Sequence, residues 1–121
     1  MPGPRIALFA NGGRGLTVAQ GLAGAGFELA CLVWHGDHVH VSEIVESVAT
    51  TTPVFHMASD SATGWDSVRE ILSATDVNLG VVAGFSLLLP SAVLETPKWG
   101  FLNLHAGAVP KYRGGSPLNW Q

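Results

Sequence analysis

A doubly wound, mostly parallel α/β sheet is the fold class this sequence predicts, on three observations. Short apolar runs alternate with helical stretches along the chain, the signature of strands joined by crossover helices. Several of the runs stop at glycine-, asparagine- or serine-bearing tips, as strand ends do. Hydrophobic residues make up 47% of the chain and charged residues only 12%, which suits a largely buried sheet and argues against disorder.

Residues 5–10 (RIALFA) read as the first strand, stopped by Asn11, Gly12 and Gly13. A small-residue helix over 16–25 packs closely on the sheet, and 27–34 (FELACLVW) is the second strand. Ser42 is the expected N-cap of a helix over 42–50, and 53–57 is a short third strand. The third helix runs over 61–74, its start blurred by Gly64. A fourth strand over 77–83 leads into Gly84, Phe85 and Ser86. Pro90 suits the first turn of a short helix over 91–95, and 100–105 is the fifth strand. Right-handed crossovers then give a Rossmann-like sheet of order 3-2-1-4-5.

The 121 residues make one domain at most. With six Lys and Arg and a formal net charge of -3, the chain lacks the basic face of a nucleic-acid module, so direct nucleic-acid binding by this segment is disfavoured. Cys31 lies in an apolar run and reads as a core thiol in a reducing compartment. No leader is visible ahead of the first strand, and no apolar run reaches the ~18 residues a membrane span needs, so a cytoplasmic domain is expected.

Ligands of open α/β sheets bind at the carboxyl ends of the strands, where strand order reverses. The tips at Asn11–Gly15, Gly84–Ser86 and Asn103–His105 should therefore share one crevice. The glycine loop NGGRG either makes a tight turn or holds an anionic or polar group. Val18 stands where a dinucleotide fingerprint needs its third small residue, which weakens a nicotinamide reading. HGDHVH supplies His35, His38 and His40 around Asp37, but no second cluster completes a metal set, so a solvated or substrate-lining loop is expected and no metal. His56 reads as an ordinary strand-end residue.

In GFSLLLP, Leu88 stands where a nucleophile elbow needs glycine, so Ser86 is a poor hydrolase nucleophile. The segment either walls a flat ligand or enters the core. At the fifth strand, alternation puts Leu102 and Leu104 on one face and Asn103 and His105 on the other. An amide that donates to an oxyanion beside an imidazole that moves a proton suits acyl-group chemistry, although an Asn-x-His pair also occurs for structural reasons.

The last stretch, NLHAGAVPKYRGGSPLNWQ, resembles the N-H-x-S-L-L-P-x-Y-R-G-x-x-P segment of the formyltransferases that use 10-formyltetrahydrofolate. Upstream, DVNLGVVAGFSLLLPSAVLETPKWGFLNLH is similar to the same family's strand–loop–strand passage. The likeness is strong from Asp76 to Gln121 and only topological before that. The ending is nearest the methionyl-tRNA and amino-sugar branches.

The resemblance implies that residues 1–121 are the N-terminal part of a formyltransferase catalytic domain, its sheet incomplete at the C-terminus. It implies formyl transfer from 10-formyltetrahydrofolate to a primary amine of an amino sugar, an aminoacyl-tRNA or another small molecule. The acidic balance leans toward the small acceptors. A formyltetrahydrofolate hydrolase and a non-catalytic folate- or nucleotide-binding remnant are the alternatives. Asn103 would stabilise the oxyanion and His105 would handle the proton. Phe85, Ser86, Leu87, Leu88 and Leu89 would line the folate pocket. Asn11, Gly12 and Gly13 would lie near the acceptor, and Tyr112, Arg113 and Gly114 would close beside the site. Two departures stand out. After His105 the chain reads Ala106, Gly107, Ala108, Val109 and Pro110 where the family usually has S-L-L-P, so the serine hydroxyl is absent. The family's catalytic Asp is expected beyond Gln121, so these residues alone are expected to show little transferase activity.

Overall fold

Strands and helices alternate through the computed structural model, which describes residues 3–36 and 40–104. They are β1 (Ile6–Ala10), α1 (Gly12–Gly24), β2 (Leu29–His35), α2 (Val41–Glu46) and β3 (Val54–Met57). Then come α3 (Ala62–Ala74), β4 (Leu79–Ala83), α4 (Ser91–Leu94) and β5 (Phe101–Leu104). All strand pairs are parallel and the order is β3-β2-β1-β4-β5, as the apolar pattern predicts.

Alternation along β1 divides the core into two layers. Ile6, Leu8 and Ala10 face α1 and α2, where they meet Ala19 and Ile44. Ala7 and Phe9 face α3 and α4 and pack with Trp65, Val68, Leu72 and Val93. Phe9 is fully buried, with the Phe85 and Phe101 rings edge-on to it at centroid distances of 5.4 Å. A side chain of that size buried from water contributes roughly 1.5–3 kcal/mol. This aromatic cluster ties β1, β4's exit and β5 into one unit.

Element ends differ from the sequence expectation for local reasons. The NGGRG loop is the first turn of α1, which starts at Gly12 instead of residue 16. Gly15 N–H donates to the Asn11 carbonyl and opens the helical ladder. Glycines are poor helix formers, yet a β-carbon on Gly15 would lie only 2.9 Å from that of Ala10, so close packing on β1 demands glycine there. At the other end of α1, Phe27 N–H donates to the Leu22 carbonyl, so Phe27 belongs to the helix exit and β2 starts later.

His40, in the left-handed region at φ 66°, replaces Ser42 as the cap of α2. Its Nδ1 lies 2.8 Å from the Glu43 carboxylate. The helix stops at Glu46, where the Ser47 hydroxyl donates to the Ile44 carbonyl. Ser61 caps α3 by accepting from Gly64 N–H at 3.1 Å. Asp76, with φ 57°, turns the chain out of α3, so β4 begins at Leu79. Pro90 precedes α4 as its cap and is not in its first turn, and its carbonyl accepts from Val93 and Leu94.

Candidate functional site

The strand order reverses between β1 and β4, and their tips touch. Asn11 N–H donates to the Ala83 carbonyl at 3.1 Å. Gly84 follows with φ +71°, and a β-carbon on it would lie 2.3 Å from the Asn11 carbonyl oxygen. Only glycine combines that left-handed turn with that approach.

Asn11 is 8% exposed and stands at the start of α1, but its side chain does not cap the helix. Its Oδ1 accepts from His35 N–H at 3.1 Å and its Nδ2 donates to the His35 carbonyl. The amide thus clasps the end of β2 to the end of β1. Gly12 and Gly13 begin α1 beside this clasp with no acidic residue in the first turn, so the helix end keeps its partial positive charge.

The 85–89 segment divides by side chain. Phe85 and Leu89 are buried in the α3/α4 layer, Phe85 meeting Trp65 edge-on at 6.4 Å as well as Phe9. Ser86 and Leu88 are exposed, Leu88 at 78%, and Leu87 is half-buried. Among the described residues, the backbone N–H groups of Phe85, Ser86, Leu87, Leu88 and Leu89 donate to no other backbone group. Among the described residues, the segment is therefore anchored by the Phe85 and Leu89 side chains, with Leu87 packed beside them, and its main-chain donors are not spent on the sheet or on a turn.

On β5, Asn103 pairs in register with Val82 and Leu104 with Ala83. Phe101 is buried while Leu102 and Leu104 are 46% and 41% exposed, so the expected alternation holds over the strand. Asn103, half-buried, shares the face of Phe101 and Val82. His105, Tyr112, Arg113 and Gly114 lie outside the described residues, as do Asp37 and His38.

His35, expected in a solvated or substrate-lining loop, has a place in the sheet that sequence reasoning missed. Ending the second strand at Trp34 leaves His35 in the loop, whereas it is the last residue of β2, paired with Met57. Its Nδ1 lies 3.1 Å from Ser86 Oγ, and its ring meets Phe85 edge-on at 6.1 Å. The available signal was period-two: His35 continues the inward face of Cys31 and Val33. His56, on β3, stacks on Trp34 at 3.7 Å.

Among the described residues, no three His, Cys, Asp or Glu groups stand close enough to hold a metal. Nor is any helix there long and apolar enough to cross a membrane. Burial pushes the Cys31 thiol up to about 11, against smaller opposing effects of Thr75 and Arg5. A cavity of about 370 Å³ lies at the opposite, amino end of the sheet, lined by residues including Arg5, Phe27, Glu28 and Thr75. Arg5, the cation in that lining among the described residues, is already engaged. Its Nε donates to the Thr75 carbonyl at 2.8 Å and a terminal nitrogen pairs with Glu28 at 3.1 Å.

Comparison with known proteins gives a consistent picture. A family model described as formyl transferase matches residues 23–121. The methionyl-tRNA formyltransferase of Citrifermentans bemidjiense is 46% identical over 55 residues, which are 46% of this chain and 17% of that protein. Its counterpart in Novosphingobium aromaticivorans is 35% identical over 80 residues, 66% of this chain and 24% of that protein. These matches thus cover about a quarter or less of the curated relatives' length. Among solved structures, glycinamide ribonucleotide transformylase 1 from Symbiobacterium toebii superposes with a TM-score of 0.67 at 22% identity, covering 90% of this chain and 54% of the other. A formyltetrahydrofolate deformylase from Pseudomonas syringae pv. tomato gives 0.69 at 18% identity, covering 94% and 39%. The structural likenesses establish a shared fold.

Proposed function

This chain belongs to the formyl transferase family, and on that premise we propose that the protein moves a formyl group from 10-formyltetrahydrofolate to a primary amine. The observation that carries the reading is the pairing of two features at one edge of the sheet. The 85–89 segment has main-chain donors with no backbone acceptor among the described residues, and the β5 tip next to it bears Asn103.

In this reading the backbone of Phe85, Ser86, Leu87, Leu88 and Leu89 reads the polar edge of the pterin, a flat heterocycle rich in acceptors. The acceptor amine attacks the formyl carbon, and negative charge builds on the formyl oxygen. The Asn103 amide donates to that oxygen, an interaction that strengthens as the charge grows. The C–N bond to the folate then breaks, the folate nitrogen takes a proton and the former amine gives one up. His105 handles that proton traffic. Asn11, Gly12 and Gly13 meet the acceptor at the electropositive start of α1, and Tyr112, Arg113 and Gly114 close beside it.

The named relatives favour the amino group of methionyl-tRNA as acceptor. Contacts with the nucleic acid then fall mainly outside these residues, since a net charge of -3 offers little to phosphate. The deformylase likeness motivates a second reading, in which water replaces the amine.

The test is to incubate the full-length protein with 10-formyltetrahydrofolate and, separately, methionyl-tRNA, a nucleotide-linked amino sugar or no acceptor. Tetrahydrofolate release that needs methionyl-tRNA is expected. Release without any acceptor supports the hydrolase, and donor binding with no release under any condition rejects catalysis.

A further inference from the structure

We propose that His35 is a positioning residue, its imidazole holding the 84–90 loop in the shape that receives the formyl donor. This deepens the reading above and rests on it. The loop that follows β4 has few fixings of its own. Phe85 and Leu89 are sunk in the core, and the main chain between them makes no backbone-donated bond among the described residues. In the open part of the loop, the Ser86 hydroxyl lies 3.1 Å from His35 Nδ1.

His35 is well placed to act as that fixing because it is itself held from three sides. β3 pairs its backbone through Met57. The Asn11 amide engages both its N–H and its carbonyl. The Phe85 ring lies edge-on to the imidazole at 6.1 Å and 62°. A continuous path of interactions therefore runs from the β1 tip through β2 to the β4 loop, so the wall of the donor pocket is registered to the strand end that carries Asn11. Without the bond between Ser86 and His35, residues 86–88 are tethered by the flanking buried side chains and by Leu87, which packs partly buried against the same core, and no polar bond fixes the main chain between them among the described residues. Their donors then sample orientations that miss the pterin edge, which costs affinity for the donor and not for the acceptor.

The experiment compares His35→Ala, His35→Asn, Ser86→Ala and the His35→Ala/Ser86→Ala pair in the full-length protein. Loss of one hydrogen bond predicts a donor KM raised about 3- to 10-fold in both alanine variants, with acceptor KM and kcat within about twofold of the parent. The double variant should lose no more than either single, because both delete the same hydrogen bond. His35→Asn, whose amide nitrogen occupies the Nδ1 position, should recover most of the donor affinity. With 10-formyltetrahydrofolate bound, so that its pterin occupies these donors, hydrogen exchange at the Phe85–Leu89 amides should quicken in both alanine variants and return toward the parent rate in His35→Asn. Ser86 is exposed, so its replacement leaves the fold intact and keeps the test decisive if His35→Ala folds poorly. A parent protein that uses the donor, with Ser86→Ala unchanged in donor KM and loop exchange, overturns this inference alone. A parent that neither binds nor consumes 10-formyltetrahydrofolate overturns the proposed function and this inference with it.

Discussion

The Asn11 side chain satisfies both main-chain hydrogen-bonding groups of His35, accepting from its N–H at 3.1 Å and donating to its carbonyl. An amide is the one short side chain that carries a donor and an acceptor in the spacing of a peptide group. Asn11→Ala leaves a part-buried donor and acceptor unmatched, and should lower stability by about 1–3 kcal/mol. Asn11→Asp keeps the acceptor and loses the donor, while setting a nearly buried carboxylate against a carbonyl. It should be at least as destabilised at neutral pH. Because burial favours the neutral acid, which can donate, that variant should regain part of the loss as pH falls. Urea unfolding of both variants at two pH values checks this, and a smooth, pH-independent loss in Asn11→Asp would show that the donor to His35 carbonyl is unimportant.

Two glycines face similar crowding and should respond differently. A β-carbon on Gly80 would lie 2.2 Å from the Phe101 ring, a side chain that can be changed. Gly80→Ala should cost about 1–3 kcal/mol as overpacking. Combined with Phe101→Leu, it should cost less than the sum of the single changes, because the smaller side chain frees the space. On Gly84 the obstacle is the Asn11 backbone oxygen at 2.3 Å, and φ is +71°. Gly84→Ala should lose about 2 kcal/mol or more, and Phe101→Leu should give no relief. Chemical-denaturation midpoints of the three single and two double variants decide it.

Strand order was legible because it follows from period-two apolar runs and crossover handedness, both of which are local or generic. Ala7 and Phe9 alternating with Leu8 and Ala10 already announce a strand buried on two faces. What stayed illegible depends on distant neighbours. The α1 start was hidden because glycines at 12, 13 and 15 look like a loop until Ala10 is known to press on Gly15. Likewise, nothing local says that Asn11 turns from its helix to serve His35, or that His35 meets Ser86 across the sheet. The buried fate of Phe85 and Leu89 had the same character, since GFSLLLP reads equally as a wall or as core until Phe9 and Trp65 are in place.

Cys31 should make stability fall on the alkaline side. Its thiol is raised from an ordinary 9.0 to about 11 by burial. The unfolded chain therefore releases this proton at lower pH than the folded one, and the contribution is complete below pH 9.0 and is lost as pH rises toward about 11. A shift of that size corresponds to on the order of 2–3 kcal/mol. Cys31→Ala should show a shallower decline over this window, and the native thiol should resist alkylation at neutral pH. Equal alkaline slopes in the parent and Cys31→Ala would assign the decline to other groups.

Asn103 offers the sharpest separation of chemistry from folding. It is half-buried on β5, on the face of Phe101 and Val82, so a folding readout has to accompany the kinetics of any variant there. If its amide donates to the developing oxyanion, Asn103→Ala in the full-length protein should lower kcat about 10²- to 10³-fold. Donor and acceptor KM should change little, because that interaction matters most when charge has built on the oxygen. Asn103→Asp should be no better than alanine, since it replaces a donor with a carboxylate that repels the same charge. Thermal unfolding should show both variants folded, with a loss of no more than about 1–3 kcal/mol, far too small to account for the drop in kcat at the assay temperature. A loss in kcat below tenfold with an unchanged Tm would remove Asn103 from the chemistry and leave it as a strand residue.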